Sequence, residues 1–166
     1  LEFFDVPILH TQYEAEIEAP DGSTSAVDPR AALLIQGPVV QVIVGLAASL
    51  ATQIIQQGQA VPNPISGMGL IDTGASTTCI DEAMAQSMKL PVIDVVQMMS
   101  ASHASSPANV YPIQLQLVGT PIRIEVQRAL GAELKAQGII ALIGRDFLSN
   151  CTLFYNGVAG GLTLSM

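Results

Sequence analysis

The sequence predicts a mostly β protein with a few short helices, and three stretches carry that expectation. Val39-Val40-Gln41-Val42-Ile43-Val44 is a β-branched run suited to a core strand. Ile113, Leu115 and Leu117 place apolar side chains at every second position, as does the alternating stretch Ile122 to Val126. Asn156-Gly157 is a tight-turn signal joining Cys151–Tyr155 to Leu162–Leu164 as a closing hairpin.

In chain order, Leu1 to Ala32 mixes short apolar runs with a polar turn at Pro20-Asp21-Gly22-Ser23 and a second break at Asp28-Pro29. Residues 1–36 therefore read as an arm or hairpin, and 37–166 as the core of a single domain. The first core strand ends at Gly45. Leu46, Leu50 and Ile54 then recur at four-residue spacing and predict a helix closed by Gly58. Pro62-Asn63-Pro64 is a loop leading into Gly69-Leu70-Ile71. Thr77 to Ile80 is extended, Asp81 caps a short helix through Met88, and Val92 to Met99 is a strand. The small, polar stretch Ser100 to Asn109 reads as the mobile tip of a long hairpin whose return strand runs from Val110 to Val118. Ala129 to Lys135 has helical character, and Ile139 to Ile143 is a fully apolar run that ends in Gly144-Arg145-Asp146.

At 166 residues the chain can bury one substantial core without disulfide or metal staples. A formal net charge of −8 and a pI near 4.4 exclude nucleic acid, because the few basic residues cannot neutralise a run of phosphates. The same scatter of Lys and Arg excludes an anionic membrane surface. The apolar stretch Val39 to Ile55 is interrupted by Gln41, Ser49, Thr52 and Gln53 and broken by Gly45, so a strand and an amphipathic helix are expected there rather than a span. With no visible secretory signal, a soluble, cytoplasmic protein is expected. Charged residues make up 12% of the chain and apolar ones 49%, which suggests that another subunit covers part of its apolar surface. Cys79 and Cys151 lack metal-ligand spacing with His10 or His103; both read as small buried hydrophobes, and no metal or cofactor is expected.

The most informative residues are Leu70-Ile71-Asp72-Thr73-Gly74, which place a carboxylate at the mouth of a buried strand. Such a group is costly to bury unless its acidity is used, although an Asp that simply starts a turn by accepting nearby amide hydrogens is the plain structural alternative. The triplet Asp72-Thr73-Gly74 occurs once, and Asp21-Gly22-Ser23-Thr24 is too polar in its surroundings to be a second copy. About seventy residues later a second apolar strand ends in a Gly turn, Ile143-Gly144-Arg145-Asp146, with the long hairpin between the two.

In this order, the two motifs and the hairpin resemble the retropepsin family of dimeric aspartic proteases. The resemblance covers roughly Gly37 to Met166, and the Tyr155-Asn156-Gly157 tail is most similar to bacterial members. It implies a closed, retropepsin-like β-barrel and a homodimer that cleaves peptide or protein substrates. Each chain would supply one Asp72 to a pair that shares a proton. It further implies that Thr73 bonds across the dimer, that Gly74 leaves room for substrate backbone, and that Ala75 and Ser76 line the cleft. Ser100, Ala101, Ser102, His103 and Ala104 would belong to a flap closing over the peptide. Read alone, His103 is a solvated loop residue.

Ile143, Gly144, Arg145 and Asp146 would cross behind the catalytic turn. Many retropepsins carry an acid where Ser76 stands; without it, Arg145 must find another acceptor among Asp146, Asp81 or a carbonyl, and an internal ion pair is expected. The helix after the first core strand is a further departure from the minimal fold. Terminal strands usually build the family's dimer sheet, which points to Cys151–Tyr155, Leu162–Met166 or the arm near Glu2–Val6. The alternative function is a catalytically weak or inactive dimerisation or peptide-binding module on the same fold.

Overall fold

The computed structural model describes residues 6–18, 20–100 and 103–166. The β-branched run forms β4 (Val39–Leu46), whose burial alternates so that Val40, Val42, Val44 and Leu46 face the core. It pairs antiparallel with β5 (Ile65–Ile71) on one side and with β8 (His103–Leu117) on the other. Between them, β5 continues to β10 (Ala141–Ile143), β6 (Cys79–Asp81) and β9 (Arg123–Ala132), which returns to β8. These six strands close into a barrel, removing the open edges a flat sheet would leave. Val42, Val44, Ile113, Leu115, Leu117 and Ile143 fill it, each almost wholly buried.

Pro112 sits mid-strand in β8, where a proline would ordinarily interrupt a ladder. The β8–β9 register shifts between Tyr111 and Ile113, a bulge that accommodates the residue without a hydrogen on its nitrogen. The first part of β8 leaves the barrel and pairs with β7 (Asp94–Ser100) alone as a projecting hairpin. Ser100 opposes His103, so strand pairing extends through Ser105, Ser106 and Asn109, where the composition suggested a mobile tip. Cross-strand backbone bonding to β7 outweighs the weak strand preference of Ala, Ser and Asn there. Ala101 and Ser102 lie outside the described residues.

The helix after β4 is present as α2 (Ala48–Gln56), with Leu46 left behind as the buried end of the strand. Gly58 follows its last turn at φ +72°, the left-handed conformation expected at that end. Residues 129–132 are strand rather than helix, because β9 is held by β8 on one side and β6 on the other; only Lys135–Gln137 coils, as a short 3₁₀ turn. The arm contains β1 (Ile8–Gln12), the small hairpin of β2 (Glu16–Glu18) and β3 (Thr24–Ala26), and α1 (Pro29–Gln36). Asp28-Pro29 starts that helix: Asp28 accepts from the Arg30 amide and the proline occupies the first turn.

At the chain's end β11 (Thr152–Asn156) and β12 (Gly161–Ser165) form the expected hairpin, and β1 adds to β12's free side. With β12 paired on both sides, Leu162–Ser165 offers no open edge to a further strand. Among the described residues, no helix is long and apolar enough to cross a membrane.

Candidate active site

Asp72 is placed by a parallel pairing of strands distant in sequence. Ala141, Leu142 and Ile143 of β10 lie beside Gly69, Leu70 and Ile71 of β5. One residue further on, the Asp72 amide donates to the Ile143 carbonyl at 3.0 Å, which fixes the aspartate where the ladder ends. The chain then turns back. Asp72 Oδ1 accepts from the Gly74 amide at 2.8 Å and the Ala75 amide at 3.3 Å, so the turn is wound around its own carboxylate. Among the described residues its other oxygen has no hydrogen-bond partner.

Behind the turn, a compact network joins the two motifs. Gly144 donates its amide to Thr78 Oγ1 at 3.1 Å, and the wholly buried Thr78 donates its hydroxyl to Asp146 Oδ1 at 2.6 Å and its amide to the same carboxylate at 2.9–3.0 Å. Asp146 also accepts from the Phe147 amide at the start of α4 (Arg145–Leu148), whose Phe147 is buried without remainder in the core. The acceptor for Arg145 is backbone. Its Nη1 donates to the carbonyls of Thr73 and Gly74 at 2.8 and 2.9 Å, while its own amide donates to the Ala75 carbonyl. Among the described residues the expected ion pair does not form, because the guanidinium reaches over the turn and straps its carbonyls. Asp81 is engaged elsewhere, capping α3 (Glu82–Ser87) through the Met84 amide and accepting from the Leu134 and Lys135 amides.

Asp72, Gly74, Ala75, Ser76 and Asp146 line one cleft of about 2000 Å³. Thr73 is exposed at the turn, and Ile143 and Gly144 are buried behind it. The cleft's flanks are Val95–Met98 with Ser106 and Pro107 from the β7–β8 hairpin, and Glu125–Arg128 with Leu130–Leu134 from β9 and its exit. Arg128 forms an ion pair with Asp94 at 2.6 Å that ties β9 to the base of β7 and holds the Asp94 carboxyl below the usual range.

Glu82, also on the wall, accepts on Oε1 from the Asn109 side chain, the Tyr111 hydroxyl and the Gln86 side chain, each at 2.8 Å. Burial, with Glu82 as acceptor, pushes the Tyr111 hydroxyl up to about 12, so it stays a donor at any ordinary pH. Thr78, Glu82, Asn109 and Arg128 escape a reading based on local motifs because strands far apart in sequence bring them together.

Cys79 lines the same cleft as a free thiol. Burial, and then the Asp146 and Asp72 carboxylates, push its pKa up to about 11. Since the thiolate is the reactive form, alkylation by iodoacetamide at pH 8 is expected to run roughly a hundredfold slower than in the unfolded chain. A rate unchanged by unfolding contradicts this environment.

Residues 65–150 match the family described as gag-polyprotein putative aspartyl protease. Among solved structures, a retropepsin-like aspartic protease from Rickettsia conorii superposes with a TM-score of 0.50 at 10% identity. That match covers 99% of this chain and 97% of the other, a likeness of fold. No curated protein matches the sequence.

Proposed function

The chain belongs to the gag-polyprotein aspartyl protease family, and from that premise we propose that it is a homodimeric aspartic endopeptidase whose active site takes one Asp72 from each copy. The observation that carries this reading is the position of Asp72 at the end of the β5–β10 ladder. Its carboxylate stands at the cleft with one oxygen uncommitted, while the Asp146 carboxylate beside the turn is consumed by Thr78 and Phe147. Glu82, Glu125 and Glu133 also line the cleft but belong to its flanks and not to the Asp72 turn, and in this reading the second carboxylate of the general acid–base pair is the Asp72 of a second copy.

Two Asp72 groups face to face share a proton, because both cannot ionise easily at close range. The ionised member removes a proton from a water. That water attacks the peptide carbonyl while the protonated member donates to the carbonyl oxygen, and the roles reverse to protonate the leaving amine. No covalent enzyme intermediate forms. Thr73 is exposed at the turn for a contact with the partner, Ala75 and Ser76 form the cleft floor, and the β7–β8 hairpin serves as the flap, adding its backbone to an extended peptide. The dimer rests in this reading on the β1–β12–β11 sheet, where Ile8 and Phe154 stand exposed on the outward face. The arm and the barrel then act as a single domain.

Specific activity is expected to fall on dilution through the dimer dissociation range, because the catalytic pair exists only in the complex. Cleavage assays paired with sedimentation over the same concentrations read this. Constant specific activity in a strictly monomeric protein contradicts the reading.

A further inference from the structure

Glu82 is held in an unusual way for a residue on a cleft wall. Three donors converge on Oε1, and they come from α3 itself and from β8. Together they fix the carboxylate's orientation and saturate one oxygen. Oε2 has no hydrogen-bond partner among the described residues. It points at the backbone of Gly131 on β9, where a Cβ would lie only 1.7 Å from it. Glycine at 131 therefore makes the space that Oε2 occupies, and Glu82, Asn109 and Gly131 all line the cleft. Among the described residues lining the cleft the one cation is Arg128, which is already paired with Asp94.

A pre-oriented carboxylate with one saturated and one open oxygen, in a partly buried wall, is suited to receive a cation. We propose that Glu82 Oε2 is a specificity determinant, forming a subsite that accepts a lysine or arginine side chain of the bound peptide. This rests on the cleft being a peptide site, and it adds a substrate class: peptides that combine apolar residues with a cationic one. Tyr111 and Asn109 act as positioning residues that hold the carboxylate. Gly131, lacking a Cβ, leaves room for Oε2 against β9.

The test uses pairs of peptides differing only by lysine against norleucine, scanned through each position of an extended sequence. Cleavage is measured on the wild-type and Glu82→Gln proteins, and binding of the same peptides is measured on Asp72→Asn with and without Glu82→Gln. At one position the wild-type chain is expected to prefer lysine by about tenfold in kcat/KM and in affinity, a preference that Glu82→Gln removes. A purely structural role for Glu82 lowers both peptides alike and leaves the ratio intact, which overturns the proposal. A lysine preference in binding without any cleavage upholds the subsite and defeats the protease reading instead. Cleavage without a Glu82-dependent preference does the reverse, and peptides that neither bind nor are cut defeat both.

Discussion

Asp72→Asn is expected to lower peptide cleavage by at least about 10²–10⁴-fold while leaving the fold in place. An asparagine keeps a side-chain oxygen where Asp72 Oδ1 accepts from Gly74 and Ala75, so the turn retains its internal bonds. What it loses is the ability to exchange a proton. Because both halves of the proposed dyad come from the same codon, the substitution removes acid and base together. Asp146 cannot substitute, being tied to Thr78. Kinetics on a peptide substrate, with thermal melting as the control for folding, checks this. Full activity in a well-folded Asp72→Asn protein would remove the chemical basis of the assignment.

Gly144→Ala is expected to cost about 1–3 kcal/mol of stability and more than tenfold in activity, even though residue 144 touches no substrate in this account. A Cβ there would lie 2.6 Å from the Thr77 carbonyl carbon and 2.8 Å from both the Thr77 oxygen and the Thr78 nitrogen. These are backbone atoms, so no side-chain rotation relieves the contact. They are also held from behind, since the Thr78 amide is bonded to Asp146 and the Gly144 amide to Thr78. The strain is relieved only by moving β10 away from the segment after the Asp72 turn. That movement stretches the bond from the Asp72 amide to the Ile143 carbonyl and shifts the carboxylate. Urea midpoints and kcat/KM measured on the same preparations read both effects; unchanged values mean the two motifs are not rigidly coupled.

The reach and the limits of the sequence follow from how local each feature is. The strand β4, the hairpin of β11 and β12, and the capping of α3 by Asp81 are legible because each is written within about ten residues by apolar alternation, a turn dipeptide or a cap. The Asp72 turn and the Gly144-Arg145-Asp146 segment are legible as a pair through their resemblance to a known family, and residues 65–150 match that family. Residues 129–132 and 103–109 read wrongly for the opposite reason: their strand state is imposed by partners in β6, β7 and β8. Asp28-Pro29 is a helix start as well as a break, since a capping aspartate followed by proline opens α1. Arg145 shows a third kind of limit. A guanidinium's partner depends on which groups face it in space, and among the described residues Arg145 donates its side chain to two carbonyls of the Asp72 turn.

An active site built from two copies of Asp72 makes activity depend on how wild-type and variant subunits pair, and a mixing experiment reads that dependence. Wild-type protein is combined with Asp72→Asn protein at fixed total concentration, allowed to exchange subunits, and assayed across the whole range of mixing ratios. If each active site needs both aspartates, activity follows the square of the wild-type fraction, so an equal mixture retains about one quarter of the starting activity. A linear decline, with about one half retained at equal mixing, would mean that each chain works alone and would contradict the account.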